Sequence, residues 1–303
     1  MKKITGMLAA AAIFTTGALA GELPFEVHGG VSAGYQYADG NNEGFFVSNA
    51  LVEISKEAKD GIGFTAAFGF LQNWNPSSTR DAFGIQYAYL TLPFGKLTLD
   101  AGIIPTLVGY EVANTYANPN INIATIWNGQ PVYYGGARAT YNLGDESVWI
   151  EVNDDGKTND ADNKDGAWSI GGSGDLGSVN IIASYYAYNK GRDIVDIILS
   201  STVGGIDVAL NFDYQINDGN GDDGYGVAFY IIPKLGGIDI PIRIESFDPG
   251  DTDAYTDTGK GWDIAITPTL KLGNGYARAE IFYTDYDAVG SDTQVAVEFG
   301  ATF

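Results

Sequence analysis

The chain has 303 residues, no cysteine, and 38 acidic against 16 basic residues, which gives a formal net charge of −22. This balance argues against nucleic acid or an anionic lipid surface as a partner, because both attract clustered lysine and arginine, and the lack of cysteine excludes thiolate metal sites and thiol redox chemistry. The hydrophobic content of 45% and the aromatic content of 13% are typical of a folded chain rather than a disordered one.

The first twenty residues have the pattern of a secretory signal peptide. Two lysines precede a short apolar run at residues 7–14, and residues 18–20 read Ala-Leu-Ala, which matches a signal-peptidase site. We therefore expect residues 1–20 to be a signal peptide and residues 21–303 to form one exported domain. The alternative is an N-terminal membrane anchor, which needs a longer apolar run. No later stretch of about 18 apolar residues predicts a transmembrane helix.

The rest of the chain alternates apolar and polar residues with a period of two. This period predicts β-strands that have one apolar and one polar face. Clear examples lie at residues 206–213, 238–245 and 295–303. No segment keeps a helical period over three turns, so the sequence predicts an all-β fold.

The connections between the predicted strands alternate in length. Seven short turns and eight longer polar connections join sixteen strands, which indicates a transmembrane antiparallel up-and-down β-barrel with tight periplasmic turns and longer outer loops. The count allows an error of one hairpin. The short turns lie at residues 59–61, 94–96, 143–147, 175–178, 204–205, 236–237 and 272–275. The longer connections lie at residues 39–43, 74–80, 106–130, 154–165, 189–192, 217–223, 248–259 and 287–291.

Aromatic residues lie near both ends of the predicted strands. Such placement is typical of the two aromatic girdles that flank the apolar band of a barrel in lipid, although strands also favour aromatic residues in general. Toward the longer loops the girdle residues would be Tyr35, Tyr37, Phe83, Tyr133, Tyr214, Tyr225, Trp262 and Tyr283. Toward the short turns they would be Phe25, Phe94, Tyr141, Tyr276 and Phe303.

Two stretches resemble the OmpL-like family of outer-membrane β-barrel porins. Residues 83–111 read FGIQYAYLTLPFGKLTLDAGIIPTLVGYE, and residues 131–144 read PVYYGGARATYNLG. The segment between them carries Asn114, Asn118, Asn120 and Trp127. The resemblance implies a porin without catalytic residues. The chain also ends on Phe303 after an alternating strand, which resembles the signature by which the barrel-assembly machinery recognises outer-membrane barrels.

The longest connection, Thr106 to Gln130, differs from the other outer loops. It has a single acidic residue, Glu111, together with asparagines and several apolar side chains that a solvated loop does not need. We expect this loop to fold into the lumen and constrict the pore. The alternative is an outer loop that packs on its neighbours. The candidate constriction residues are Glu111, Asn114, Asn118 and Asn120.

The predicted lumen face carries many polar and charged side chains. Buried charges need partners, so we expect pairs across the wall, such as Arg243 with neighbours of Glu245, and Arg278 with Asp263. Water in the lumen would solvate the others. The candidate pore-lining residues on the strands are Glu53, Asp100, Arg138, Asp196, Asp207, Asp213, Arg243 and Arg278.

The sequence offers little for catalysis or for a metal or cofactor site. His28 is the only histidine, and no G-x-S-x-G motif is present. The acidic loops at residues 153–166 and 217–224 lack the ligand spacing of a calcium-binding loop. We therefore expect no enzyme, metal or cofactor, and we interpret these loops as solvated surface, with incidental divalent binding left open.

The sequence thus predicts a porin of the outer membrane for passive diffusion of small hydrophilic solutes. The acidic composition predicts a preference for cations. The expected partners are outer-membrane lipid, the diffusing solutes and the barrel-assembly machinery, and association of copies into a homo-oligomer stays open. The alternatives are a secreted acidic β-sandwich or adhesin, and a closed structural barrel without transport.

Overall fold

The structure is a computed structural model that describes residues 25–38, 43–59, 61–73, 84–154, 166–188, 191–252, 254–255 and 258–303. The predicted signal peptide, Phe83 and parts of several longer loops lie outside these ranges. No helix in the described part of the chain is both long and apolar enough to cross a membrane.

Strand follows strand along the described chain. The segments are β1 (Glu26–Ala38), β2 (Gly44–Lys56), β3 (Gly63–Asn73), β4 (Gly84–Phe94), β5 (Leu97–Pro105), β6 (Tyr133–Asn142), β7 (Ser147–Asn153), β8 (Ala167–Leu176), β9 (Val179–Ala187), β10 (Arg192–Val203), β11 (Ile206–Asn217), β12 (Gly224–Ile232), β13 (Lys234–Leu235), β14 (Ile238–Asp239), β15 (Ile242–Asp248), β16 (Gly261–Ile266), β17 (Thr269–Leu272), β18 (Gly275–Tyr286) and β19 (Gly290–Thr302).

These segments form one closed antiparallel sheet. Each strand pairs with its neighbours in the chain, and β1 pairs with β19, so that the sheet returns on itself. The last residue strengthens the closure, because Gly29 N donates to Phe303 O at 2.9 Å and Phe303 N donates to Gly29 O at 3.0 Å. A closed barrel leaves no unpaired strand edge in lipid, and the single closed sheet rules out the alternative of a β-sandwich.

Three barrel strands consist of two segments each because a proline interrupts them. Pro233 separates β12 from β13, Pro241 separates β14 from β15, and Pro268 separates β16 from β17. Proline has no N–H to donate, but its carbonyl still accepts, as when Ile240 N donates to Pro233 O at 2.9 Å. The nineteen segments therefore form sixteen barrel strands, which confirms the predicted fold.

The lengths of the connections follow the predicted alternation only in part. β18 ends at Tyr286 and β19 begins at Gly290, so the connection predicted as a longer loop at residues 287–291 is a tight turn. The turn after β2, by contrast, extends over residues 57–62. A polar composition indicates that a connection meets water, but it does not determine where the ladder of hydrogen bonds stops.

The two faces of the barrel differ as expected for a protein in lipid. Large apolar side chains stand on the outer face, where Phe45 is 78% exposed and Ile281 is 57% exposed. The inner face of the barrel carries buried polar side chains, as at Asp213 in β11 and Glu280 in β18. This is the reverse of a soluble β-protein and typical of an outer-membrane barrel.

Most of the predicted girdle residues that the structure describes are exposed at the strand ends, such as Tyr37, Trp262 and Phe94. Two predictions are wrong. Tyr276 shares the inner face with Arg278, and its hydroxyl donates to Glu298 at 2.7 Å. Tyr133 packs in a cluster with Tyr87 instead of standing on the outer face.

Candidate functional site

The connection between β5 and β6, residues 106–132, lies against the inner wall of the barrel, and we call it the lumen loop. It contains two short 3-10 helices, Thr115–Ala117 and Thr125–Gly129. Ile121 and Asn120 in this loop are fully buried. Since a solvated outer loop would expose such residues, their burial indicates extensive contact with the wall.

Wall arginines bind the backbone carbonyls of the lumen loop. Arg278 donates to Asn118 O at 2.9 Å and to Thr115 O at 3.1 Å. Arg243 donates to Asn122 O at 2.6 Å. Arg192 also donates to a loop carbonyl, that of Gly129, at 2.8 Å. The arginines thus supply donors to backbone carbonyls of the loop, which need hydrogen-bond partners when buried.

Carboxylates bind the backbone N–H groups of the same loop. Glu280 in β18 accepts from the backbone nitrogens of Ile121 at 2.6 Å and Asn122 at 2.9 Å. Glu245 in β15 accepts from the backbone nitrogen of Thr125. Hydrogen bonds to an ionised group are stronger than those between neutral groups, so the charged wall holds the loop mainly by its backbone.

Arg243 is the centre of a cluster of buried charged side chains. Its guanidinium lies 3.1 Å from Glu111 in the loop and 3.5 Å from Asp263 in β16, and all three side chains are almost fully buried. Asp263 is the cross-strand neighbour of Glu245, so the predicted pairing of Arg243 with neighbours of Glu245 is confirmed. Tyr230 also donates to Glu111, at 3.2 Å.

The predicted pair of Arg278 with Asp263 is wrong. Arg278 lies directly opposite Glu298 in the register of β18 and β19, and the two form an ion pair at 2.6 Å. The residue of β18 opposite Asp263 is Thr284 instead. Alternation along a strand gives the face of a side chain, but the register between strands decides its partner.

Two carboxylates, Asp196 and Asp213, lie opposite each other on β10 and β11 without an arginine or lysine partner among the described residues. Amide side chains donate to them instead. Asn211 donates to Asp196 at 2.5 Å, and Gln130 of the loop donates to Asp213 at 2.8 Å. The end of the lumen loop is therefore fixed to the wall by amide–carboxylate hydrogen bonds.

Apolar contacts complete the docking of the lumen loop. Ile126 packs in a cluster with Ala228 and Phe247, and Ile121 packs against Phe46. Gly226 permits the first contact, because a Cβ there would lie 2.6 Å from Cγ2 of Ile126. The apolar residues that distinguish this loop in the sequence thus cover the wall.

The candidate site residues divide into two groups. Those that are partly exposed are Asn114, Glu53, Asp100 and Asp207. Those that are buried are Glu111, Asn118, Asn120, Arg138, Asp196, Asp213, Arg243 and Arg278. Most candidates therefore fix the loop, and fewer meet the open lumen.

Several residues that dock the loop are not among the candidate site residues. These are Asn49, Thr115, Thr125, Gln130 and Asn211, which hydrogen-bond between loop and wall. Asn49 and Asn211 carry the signal of an inward position in the alternation. The three loop residues lie in or next to short 3-10 helices, where no two-residue period indicates direction.

Carboxylates occur at both ends of the barrel. At the short-turn end, Asp207 pairs with Lys234 at 2.9 Å, whereas Glu53 and Asp100 form no ion pair among the described residues. At the other end, Tyr214 and the backbone nitrogen of Asn217 donate to Asp223, and these hydrogen bonds lower the pKa of that carboxyl. The loop carboxylate is thus ionised at neutral pH.

The fold is similar to that of solved porins at low sequence identity. OmpTdeltaL8, a loop L8 deletion mutant of an outer membrane protein of Vibrio cholerae, matches with a TM-score of 0.67 and 9% identity, over 92% of this chain and 99% of that chain. An anion-selective porin from Comamonas acidovorans matches with a TM-score of 0.66 and 12% identity, over 92% of this chain and 99% of that chain. A mutant of Rh. blastica porin matches with a TM-score of 0.59 and 15% identity, over 92% of this chain and 100% of that chain.

The sequence itself matches one family over nearly its whole length. No curated protein matches the chain. The matching family is described as "Putative beta-barrel porin-2, OmpL-like", and the match extends over residues 24–303. It includes all the described strands and the lumen loop. The chain therefore belongs to the OmpL-like β-barrel porin-2 family.

Proposed function

We propose that the protein is an outer-membrane pore for passive diffusion of small hydrophilic solutes, with a preference for cations. Its family and its polar inner face support a pore, and its apolar outer face supports a position in lipid. Phe303, which is hydrogen-bonded into the barrel seam, supports assembly by the machinery that inserts outer-membrane barrels.

The cation preference is supported by the partners of the lumen charges. Arg138, Arg243 and Arg278 each form an ion pair with a buried carboxylate and donate to loop carbonyls or, for Arg138, to Pro105 O. Their positive charge is compensated inside the wall. Among the described residues, the carboxylates of Glu53 and Asp100 accept from hydroxyl groups, those of Tyr87 and Thr91. Uncompensated carboxylates in an open pore select cations.

The barrel alone does not determine the sign of the preferred ion. A solved structure with a similar fold is described as anion-selective. The sign of the preferred ion therefore depends on the side chains that face the water in the pore. In this chain those at both ends of the lumen are predominantly acidic, which concentrates cations near the mouths and raises their rate of entry.

A closed structural barrel is the second candidate. The extensive burial of the wall under the lumen loop favours it, because residues such as Asp213 and Glu245 on the inner face have almost no contact with water. The two candidates differ in one measurable property, which is the passage of ions and small solutes.

Planar-bilayer recording and liposome swelling of the purified protein test the proposal. A pore gives stepwise conductance and lets small sugars enter liposomes at a rate that falls with their size. Heat-denatured protein serves as the control. A heat-modifiable, correctly folded barrel that gives neither conductance nor swelling would establish the closed barrel instead.

A further inference from the structure

The lumen loop makes hydrogen bonds and ion pairs with only part of the wall. Its hydrogen bonds and ion pairs reach β2, β10, β11, β12, β15, β16 and β18. Among the described residues, none of them reaches β3 or β4. Any water-filled passage beside the loop is therefore expected along the part of the wall that β3, β4 and β5 form.

The exposure of the inner face supports this asymmetry. Under the docked loop, Asp213 is 0% exposed and Glu280 is 1% exposed. On the other side, Tyr89, Thr91 and Asp100 face inward and are partly exposed. Water thus reaches the inner face at Tyr89, Thr91 and Asp100 but not at Asp213 and Glu280.

Tyrosines and two carboxylates line this side. Tyr87 donates to Glu53 at 2.5 Å, and Thr91 donates to Asp100 at 2.7 Å. Tyr116 of the loop is close enough to interact electrostatically with both Tyr87 and Glu53. We call the space between this loop residue and the wall residues Glu53, Tyr87, Tyr89 and Asp100 the tyrosine slot.

The nearest arginine does not neutralise the slot. Arg138 is the cross-strand neighbour of Asp100, but its guanidinium binds Glu151 at 2.7 Å and the carbonyl of Pro105. The negative charge of Asp100 is therefore available to a passing ion. Carboxylates attract a cation, and the faces of tyrosine rings stabilise it further as it sheds water.

We propose that permeating cations cross the barrel through the tyrosine slot, with Glu53 and Asp100 as the residues that set the selectivity. This inference rests on the proposed pore function and specifies its route. The route follows the wall of β3 to β5 instead of the barrel axis, because the lumen loop closes the opposite wall.

Cysteine accessibility tests the route cleanly because the chain has no cysteine of its own. Thr91→Cys places a thiol in the slot. Leu90→Cys, at the preceding position of β4, places a thiol on the lipid face, where Leu90 is 51% exposed. Ala228→Cys places a thiol on the opposite inner wall under the loop. Each variant is checked for heat-modifiable migration and then treated with a cationic methanethiosulfonate reagent during single-channel recording.

We expect a stepwise fall in cation current for Thr91→Cys and none for the other two variants. Thr98→Cys, on the inner face of β5, repeats the test if the first variant does not fold. A fall in current for Ala228→Cys, or an unchanged current for labelled Thr91→Cys and Thr98→Cys, would overturn the slot while the pore function stands. The complete absence of current from the unmodified protein would overturn both.

Discussion

Arg243 on the barrel wall and Glu111 in the lumen loop form a buried ion pair, with 3.1 Å between Nη1 and Oε1. The two residues are 132 positions apart in the chain. The same guanidinium faces Asp263 and binds loop carbonyls, so one side chain joins the loop to the opposite half of the barrel. The position of the loop depends strongly on this residue.

Replacement of Arg243 by leucine should release the lumen loop. The change leaves Glu111, Glu245 and Asp263 buried without a cation, and loss of one partner of a buried pair typically costs ~3–5 kcal/mol. We expect a lower free energy of unfolding in urea and a larger, noisier single-channel conductance.

The matched control is Lys234→Met. Lys234 pairs with Asp207 at the short-turn end, where both side chains are largely exposed, and such pairs contribute little to stability. The free energy of unfolding of Lys234→Met should stay close to that of the unchanged protein. A similar stability for both variants would show that the buried pair does not hold the loop.

Deletion of residues 114–128 should enlarge the pore. The segment carries most of the contacts between loop and wall, and its removal would expose the carboxylates of β15 and β18 to water. Single-channel conductance and the size limit in liposome swelling should both rise. If the barrel still folds and its conductance does not change, the loop does not limit the pore.

The sequence predicted the barrel well because its signals are local. A period of two gives the strand and its two faces, and turn residues give the hairpins, so sixteen strands were predictable without a template. Tyr276 shows the limit, because an aromatic residue near a strand end can belong to either face. Its position opposite Gly300 gives its ring space on the inner side.

The partners inside the lumen could not be predicted from local patterns. Alternation marked Arg243, Arg278 and Asp263 as inward but carried no information on their height in the barrel. The irregular lumen loop has no period at all, so the direction of Thr125 or Gln130 was not predictable. The sequence therefore identified the loop that enters the lumen, but the pairs that hold it depend on strand register and on contacts between distant residues.

Neutralisation of the slot carboxylates should weaken cation selectivity. In Glu53→Gln and Asp100→Asn the shape and one hydrogen-bond acceptor are kept, but a unit charge is lost. Such a charge contributes ~1 kcal/mol to a cation about 4 Å away in water, so the permeability ratio of K⁺ to Cl⁻ should fall about fivefold at low salt.

Asp175→Asn is the control for that prediction. Asp175 faces the lumen near a short turn, bonded to Asn180 at 3.1 Å, and lies outside the tyrosine slot. The permeability ratio of K⁺ to Cl⁻ should change much less in Asp175→Asn than in Glu53→Gln and Asp100→Asn. An equal change of this ratio in all three variants would indicate that the total negative charge of the lumen, and not the tyrosine slot, sets the selectivity.

The reversal potential of the unchanged protein in a planar bilayer tests the cation preference most directly. It is measured under an about tenfold KCl gradient at low and at high ionic strength, since the Debye length falls from ~10 Å at 0.1 M to ~3 Å at 1 M salt. We predict a potential of the cation-selective sign that decreases as salt rises. A potential of the anion-selective sign at low salt would contradict the account, because the arginines of the wall would then act on the permeating ions instead of being compensated.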